Sequence, residues 1–402
     1  MYITLGIAQL MGLQNKEENM NKFRNNLLFV LFGIFCGSIL WCIDVSAGEI
    51  SISSENIPLE KVDIAKKEWE KYSNTLIMDT PNEVNDYYLG QGFTVDNFDT
   101  ANFPIIKRDT EDICYILQID KDNQLILSQK FGSKINDLSK KKIGSESNPI
   151  TLYGNEQTVF YTDQQGNNDT LIGKDSKEEN FNIDSVNKND KQSVNLTKTL
   201  DNPDSNQIST MADFDHVVLP WKVYEIQTNL PWCQWYTITG VLNNLANRQI
   251  TTARQFVMAS YPNSTEAQLM DSNYISTLNL YDAFNYMRTR YSVSVNLHDG
   301  KPSFSAVKNE IKNRRVPLIT DLKTGITTRS SDPGSGGVSS GHSIVQIGYT
   351  ASSNSSNVPF YHYWNPWWED TIIVSSAAQY MQLGSYQYGI YRHIINFSVP
   401  RN

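Results

Sequence analysis

The spacing of apolar positions changes within the second half of the chain. Spacings of three and four residues predict helices first, at residues 233–247, 251–260, 278–290 and 304–315. Apolar runs rich in β-branched and aromatic residues come next and predict strands, at residues 316–322, 342–350, 358–364, 371–376 and 388–400. Helices followed by strands indicate an α+β fold in which a helical lobe packs against an antiparallel sheet lobe. A cleft between two such lobes is a common ligand site.

The first half is predicted to be mainly β. One helical pattern covers residues 60–75, and alternating patterns predict antiparallel strands, at residues 112–120, 123–131, 149–154 and 158–163. The chain then becomes rich in Asn, Asp, Ser and Lys, and such a segment buries too little apolar surface to order itself. We therefore predict one domain at 48–165, a flexible and protease-accessible linker at 166–212, and a second domain at 213–402.

The longest apolar run lies near the N-terminus. Lys22 and Arg24 precede an apolar stretch at 27–43, and the small-residue sequence VSA follows it at 45–47. This combination is typical of a secretory signal peptide. We predict a signal peptide at 1–47, with the true start at Met20, and secretion of the remainder. An uncleaved anchor is the alternative, but the run is short for a bilayer span, so no stable membrane anchor is expected.

Charge is distributed unevenly along the 402 residues. Residues 1–215 contain 20 Lys and Arg against 33 Asp and Glu, whereas residues 216–402 contain 14 against 10. Opposite net charges favour docking of the acidic first half on the basic second half, in a salt-dependent way. The overall charge of −9 gives no indication of nucleic-acid binding.

The cysteine count argues against a disulfide framework. Removal of the signal peptide would leave two of the four cysteines, Cys114 and Cys233, too few for the disulfide-rich class of exported domains. These two could pair with each other. Alternatively, a cut in the linker would leave Cys233 as the single thiol of the product.

Cys233 is the first candidate for chemistry. It lies in the sequence LPWCQWYTITGVLNN at the start of a predicted helix, which Thr228 or Asn229 could cap and whose first turn suits Pro231. A helix N-terminus favours the thiolate, which is the nucleophilic form of cysteine. An ordinary buried cysteine is the alternative, because free cysteine is among the most buried residue types.

A nucleophilic cysteine needs a base, and the base needs an orienting group. His342 opens an apolar strand after a Gly- and Ser-rich loop, a position from which an imidazole can face a cleft, and His362 is the rival base. Asn365 lies among tryptophans that could shield its hydrogen bond to an imidazole from water. Gln227, six residues before Cys233, could join the Cys233 N–H in an oxyanion hole. The alternatives are a strand-edge histidine, an Asn-Pro turn packed by core tryptophans and a glutamine without a task.

Taken in order, these motifs resemble the papain-like cysteine peptidases, and most closely the staphopain family of secreted bacterial enzymes. The resemblance rests on Gln227, Trp232-Cys233, Tyr236-Thr237, Leu242-Asn243-Asn244, Gly341-His342 and Trp364 to Trp367. It implies a papain-like two-lobe fold over residues 216–402, preceded by a mainly β propeptide domain. It also implies secretion as a zymogen that is activated by a cut in the linker.

The same resemblance implies roles for individual residues. Cys233, His342 and Asn365 would be catalytic, and Gln227 with the Cys233 N–H would form the oxyanion hole. Residues lining or shielding the substrate cleft would be Trp232, Trp235, Gly341, Trp364 and Trp367. The implied partners are protein or peptide substrates, the chain's own propeptide as an intramolecular inhibitor and, in addition, a dedicated protein inhibitor. No cofactor is implied, and no His, Cys and carboxylate cluster has the spacing of a metal site.

The chain departs from the plant and lysosomal papains in two respects. Their C-G-[SA]-C-[WY] signature is absent. Gln234 and Trp235 replace smaller residues after the nucleophile, where we expect them to narrow the cleft. The alternatives to a secreted endopeptidase are a papain-fold processing peptidase or amidase of another type, and a secreted binding protein without activity.

Overall fold

The computed structural model describes eleven segments of the chain, and they belong to one compact unit, Ala47–Asn402. The segments are residues 49–76, 87–154, 158–163, 165–173, 191–200, 214–227, 230–323, 341–352, 358–367, 370–383 and 386–398. The predicted signal peptide at 1–47 lies outside them. Within these segments, every helix is too short or too polar to cross a bilayer.

The first half is mostly β, as its alternating patterns predict. Its elements are β1 (Ser51–Ser54), α1 (Leu59–Leu76), β2 (Tyr87–Leu89), β3 (Phe93–Thr94), β4 (Thr100–Lys107), β5 (Ile113–Asp120), β6 (Leu125–Ser128), α2 (Gln129–Lys140), β7 (Ile150–Gly154), β8 (Val159–Thr162), β9 (Asn168–Ile172) and β10 (Gln192–Asn195). Five of these strands form one sheet in the order β10-β1-β7-β8-β9. Strands β2 to β6 form an antiparallel set that belongs to a second, larger sheet.

Two strands lie inside the range predicted as linker, so that prediction was wrong for part of its length. β9 pairs with β8, and β10 pairs with β1. Their apolar side chains are buried in the first-half core, namely Leu171, Ile172 and Val194, with Leu196 just beyond β10. A few apolar residues in a polar segment are enough for a strand when an existing sheet edge supplies the hydrogen bonds. Residues 174–190 and 201–212 of the predicted linker lie outside the described residues.

The second half has helices first and strands afterwards, which confirms the predicted α+β class. Its elements are β11 (Phe214–Val218), α3 (Cys233–Leu245), α4 (Ala253–Ser260), α5 (Glu266–Met270), α6 (Ser272–Ile275), α7 (Leu280–Tyr291), β12 (Asn296–Asp299), α8 (Phe304–Lys308), a π-helix (Asn309–Arg314), β13 (Leu318–Lys323), β14 (Gly341–Ser352), β15 (Phe360–Asn365), β16 (Asp370–Ser375), β17 (Tyr380–Leu383) and β18 (Tyr386–Ile395). The strands are antiparallel, in the order β12-β18-β13-β14-β15-β16, with β11 beside β14 and β17 beside β18.

Helices α3 to α7 pack on one face of this sheet and place the start of α3 over β14. The shared core joins residues of α3 and α4, such as Trp235, Ile238 and Phe256, to Val345 and Ile347 of β14. Capping boxes define the starts of α4 and α5, where Thr252 and Thr265 accept backbone hydrogen bonds and the third helical residue bonds back. Such caps fix where each helix enters the core, and so help to fix the lobe around α3.

The larger sheet is continuous between the two halves of the chain. β16 pairs with β6 in antiparallel register, with Ile373 opposite Leu127. On one face, Phe360 and Ile373 share an apolar cluster with first-half residues that include Leu117. The other face of β16 contributes to the first-half core in the same way. The first half therefore covers both faces and the edge of β16.

Candidate active site

Cys233 is the first residue of α3, at the helix N-terminus that the sequence predicts. The N-cap residue is Trp232, whose side chain makes no capping hydrogen bond, so Pro231 precedes the helix and the prediction that it lies in the first turn was wrong. The predicted caps, Thr228 and Asn229, lie outside the described residues. Trp232 anchors this end by packing, because its buried indole Nε1 donates to the carbonyl of Leu269 at 2.6 Å. The unpaired N–H groups of a first helical turn point outward beyond the helix end. Cys233 is half-buried and is not in a disulfide.

The thiol of Cys233 lies against the beginning of β14. The backbone N–H groups of Ser343 and Gln234 hydrogen-bond to its sulfur. Burial raises the pKa of the Cys233 thiol to about 11, and the negative charge of Asp321 acts in the same direction. In this structure the sulfur is therefore protonated at neutral pH.

His342 directly precedes Ser343 on β14 and is completely buried. Its Nε2 lies 2.8 Å from Oδ1 of Asn365, and the backbone N–H of Trp367 donates to the same oxygen at 3.1 Å. An amide oxygen only accepts, so Nε2 carries the ring proton and Nδ1 has the free lone pair. Within the part of the chain that the structure describes, Nδ1 has no hydrogen-bond partner. Burial lowers the pKa of His342 to about 3, with the bond to Asn365 opposing the shift.

The tryptophans that surround Asn365 occupy different environments. The ring of Trp367 stacks on His342 at 3.5 Å between centroids, and Tyr388 lies beyond it, 6.4 Å from the imidazole. Trp364 points to the opposite face of β15, where it packs against Trp221 in the helical core. Of these two predicted shielding residues, Trp367 is the one in contact with the imidazole.

Gln234 and Trp235, predicted to narrow the cleft, lie inside the fold instead. Trp235 is buried between Phe256 and Tyr261. Gln234 is buried as well, and its Nε2 donates to Oδ2 of Asp321 at 2.9 Å. A helix turns by 100° per residue, so the two residues after Cys233 face the sheet and the helical core. The expectation that they shape the cleft was therefore wrong.

Gln227 connects the segment before α3 to the turn after β15. Its backbone N–H donates to the carbonyl of Pro366 at 3.2 Å, and its Nε2 donates to the carbonyl of Leu230 at 3.1 Å. A primary amide has two hydrogens, so one of them remains for another acceptor. Gly341, the other predicted cleft residue, pairs with Lys323 at the start of β14.

Comparisons with known proteins point to one family of peptidases. Residues 210–397 match the family model described as staphopain peptidase C47. The chain is a staphopain-like cysteine peptidase. It is 21% identical over 354 residues to Staphopain B of Staphylococcus aureus, covering 83% of this chain and 85% of the relative. Staphopain B of strain MSSA476 is 21% identical over 358 residues, with the same coverage.

The rival base of this staphopain-like peptidase, His362, belongs to a separate buried cluster. Its Nε2 lies 2.9 Å from the hydroxyl of Thr350, which is also 2.8 Å from Nδ1 of His216. These contacts link β15, β14 and β11 and provide a structural role for both histidines. Among the residues that the structure describes, no group of three His, Cys, Asp or Glu side chains is arranged to hold a metal ion.

A buried charged network next to Cys233 was not predicted from the sequence. Asp321 and Arg392 form an ion pair at 2.7 Å with both side chains fully buried. The signal was present, since both residues interrupt apolar strands, LITDLK and YGIYRHII. Charged residues at such positions are almost never buried without a partner. The partners could not be identified, because they lie 71 residues apart in the chain.

Proposed function

We propose that this chain is a secreted cysteine endopeptidase, made as a zymogen, in which Cys233, His342 and Asn365 form the catalytic triad. The observation that carries the proposal is the 2.8 Å contact between Nε2 of His342 and Asn365. That contact leaves Nδ1 of His342 as the basic nitrogen. The next residue on β14 is Ser343, whose backbone N–H bonds the Cys233 sulfur. This arrangement supports the assignment of Cys233 as nucleophile, His342 as its base and Asn365 as the group that orients the base.

Acylation begins when Nδ1 of His342 accepts the thiol proton. The sulfur then attacks the carbonyl carbon of the peptide bond, and the carbonyl electrons move to oxygen. The N–H of Cys233 and the free amide hydrogen of Gln227 stabilise this oxyanion. The oxyanion collapses, the carbon–nitrogen bond breaks, and the imidazolium protonates the leaving amine. A thioester on Cys233 is the product of this stage.

Deacylation reverses these roles. Nδ1 of His342 takes a proton from water as the water attacks the thioester carbonyl. The carbon–sulfur bond breaks, the acid product leaves, and the sulfur regains a proton from the imidazolium. Throughout, Asn365 holds Nε2 and keeps the ring in one orientation. The stacked ring of Trp367 excludes water from that bond, which strengthens it.

Three observations support a zymogen. The similarity to Staphopain B covers 83% of the chain, and so extends beyond residues 210–397 into the first half. The first half adds β6 to the edge of β16. At the turn after β5, Asp122 accepts a hydrogen bond from Gln387, one residue before the Tyr388 that lies beside His342. We propose that residues 48–200 are the propeptide, that the maturation cut falls in 201–212, and that residues 1–47 direct export.

In the unprocessed chain, burial favours the uncharged forms of Cys233 and His342. The raised pKa of Cys233 and the lowered pKa of His342 favour a neutral thiol beside a neutral imidazole, whereas a helix N-terminus by itself favours the thiolate. Burial disfavours each charge when it forms alone. The contacts across the propeptide boundary named above are strand pairing, apolar packing and one hydrogen bond. We therefore expect the salt dependence of docking to be weaker than the net charges suggest.

Labelling with E-64 tests the peptidase and the zymogen proposals together. We expect E-64 to modify Cys233 at least about tenfold faster after a cut in 201–212 than before it, because water then reaches the catalytic pair. Peptide mapping by mass spectrometry gives the rate at each thiol, and Cys114 is the internal reference. Equal rates of E-64 labelling at Cys233 before and after the cut would contradict the zymogen proposal. A Cys233 no more reactive than Cys114 after the cut would favour a binding protein without activity.

A further inference from the structure

Three polar side chains lie side by side on adjacent strands next to the Cys233 thiol. Arg392 on β18, Asp321 on β13 and Ser343 on β14 are direct cross-strand neighbours, and all three are fully buried. Oδ2 of Asp321 accepts from Nε of Arg392 at 2.7 Å and from Nε2 of Gln234 at 2.9 Å. Oδ1 accepts from the Ser343 hydroxyl at 2.7 Å. The carboxylate therefore ties three strands to the first turn of α3.

A buried ion pair joins strands at a high cost in desolvation free energy. Removing two charges from water costs free energy that their attraction often fails to recover, and apolar residues of similar size frequently stabilise as well. The neighbouring positions on β13, Ile319 and Leu322, are apolar and completely buried. Stability alone therefore gives no reason for Asp321, and its position beside the sulfur suggests a role in the site.

The Ser343 hydroxyl has one hydrogen, and Asp321 holds it. The same hydroxyl neighbours the Cys233 sulfur, and a hydrogen donated from it to the sulfur lowers the pKa of the thiol. Having given its hydrogen to the carboxylate, Oγ can only accept from the S–H group. An acceptor at this place favours the thiol over the thiolate. If the hydroxyl turned, it would donate to the sulfur and favour the thiolate instead.

We propose that Asp321 is a positioning residue: through Ser343 and Gln234 it holds Cys233 against the strand carrying His342, and it keeps the Ser343 hydroxyl turned away from donation to the sulfur. This inference rests on the proposed role of Cys233 as nucleophile. Asp321 from β13 is the charged group that acts on the sulfur, and Arg392 from β18 pairs with it. The titratable group next to Ser343 on β14 is His342. Release of the Ser343 hydroxyl from Asp321 is then one step by which the thiolate forms.

The test is the pH dependence of Cys233 alkylation in the full, unprocessed chain. Asp321→Leu combined with Arg392→Met removes both charges together and leaves Ser343 without its acceptor. Iodoacetamide reacts with the thiolate, so its rate against pH reports the titration of the thiol. Mass spectrometry follows Cys233, with Cys114 as internal reference. We expect the midpoint for Cys233 to fall by at least about one pH unit, which is tenfold more thiolate at a given lower pH.

A smaller change and a matched control keep the test decisive. Ser343→Ala removes one hydroxyl and is expected to lower the midpoint slightly, because the acceptor for S–H is lost. Thr320→Val, buried one position before Asp321 on the opposite face of β13, is expected to leave it unchanged. A midpoint that rises in Ser343→Ala would overturn the proposal, since Ser343 would then be a donor to the thiolate. An unchanged midpoint in a folded double variant would also overturn it.

Failure of this inference and failure of the proposed function are distinguishable. The alkylation midpoint is measured on the sulfur itself and does not depend on peptide hydrolysis. If fully alkylated Cys233 still cleaved casein, the proposed function would fail and the role of Asp321 in catalysis would fall with it. If alkylation stopped cleavage while the midpoints stayed fixed, only the inference would fail.

Discussion

Replacing Cys233 with alanine is expected to abolish both casein hydrolysis and self-cleavage, lowering kcat/KM by about 10⁴-fold or more. The sulfur is the atom that we propose forms the covalent intermediate, and the other described thiol, Cys114, lies on β5 in the first half. The side chain is small and half-buried, so the free energy of unfolding is expected to change by less than about 1 kcal/mol. The release of soluble peptides from casein measures hydrolysis, and the gel pattern of the chain over time measures self-cleavage.

Cys114→Ala is the matched control for this experiment. Cys114 is also a free, half-buried thiol, on β5, and burial raises its pKa to about 11 as well. The two cysteines thus share partial burial and a raised thiol pKa, and they differ in their position in the fold. Activity that survives in Cys233→Ala, or that disappears in Cys114→Ala with the fold intact, would remove Cys233 from the role of nucleophile.

Replacing His342 with glutamine is expected to lower kcat/KM by about 10³-fold or more. Glutamine keeps much of the volume against Trp367 but supplies neither a base for the thiol nor an acid for the leaving amine. The raised pKa of Cys233 favours the protonated thiol. The loss of the base therefore affects the first step directly, which is the transfer of the thiol proton to His342. Kinetics with a fluorogenic peptide measure the effect, and thermal unfolding reports on folding.

The control is His298→Gln, on β12 far along the sheet order from β14. This histidine is half-buried and makes no contact with His342 or Asn365 among the described residues. We expect its activity to stay within about twofold of the original. If His342→Gln retained more than a tenth of the activity while folded, another group would have to be the base, and His362 would be examined next.

The secondary structure could be predicted where local pattern and tertiary environment agree. The helices at Cys233–Leu245 and Leu280–Tyr291 and the strand at Gly341–Ser352 follow their apolar periodicity closely. The predicted strand at 123–131 is different, because only Leu125–Ser128 pairs and a helix begins at Gln129. The hydroxyl of Ser128 accepts the N–H of Phe131 and starts that helix. A short polar cap within an apolar run was the signal that the alternation concealed.

The candidate site could be predicted only where short motifs carry it. Cys233, His342 and Asn365 stand in recognisable sequences, and the structure brings the last two into direct contact. The cleft residues could not be assigned, because whether Trp235 faces a cleft or the core depends on which helices pack around α3. The ion pair of Asp321 and Arg392 depends on the register of β13 with β18, which is a tertiary property.

The central claim is that Cys233, assisted by His342 and Asn365, forms a covalent acyl-enzyme. Intact-mass spectrometry of the processed enzyme, quenched in acid during turnover of a peptide ester, tests it most directly. We predict an adduct of the acyl group on Cys233 that hydroxylamine removes, present in the original enzyme and absent in Cys233→Ala. Steady hydrolysis with no adduct on Cys233, or with the acyl group on another residue, would contradict the account.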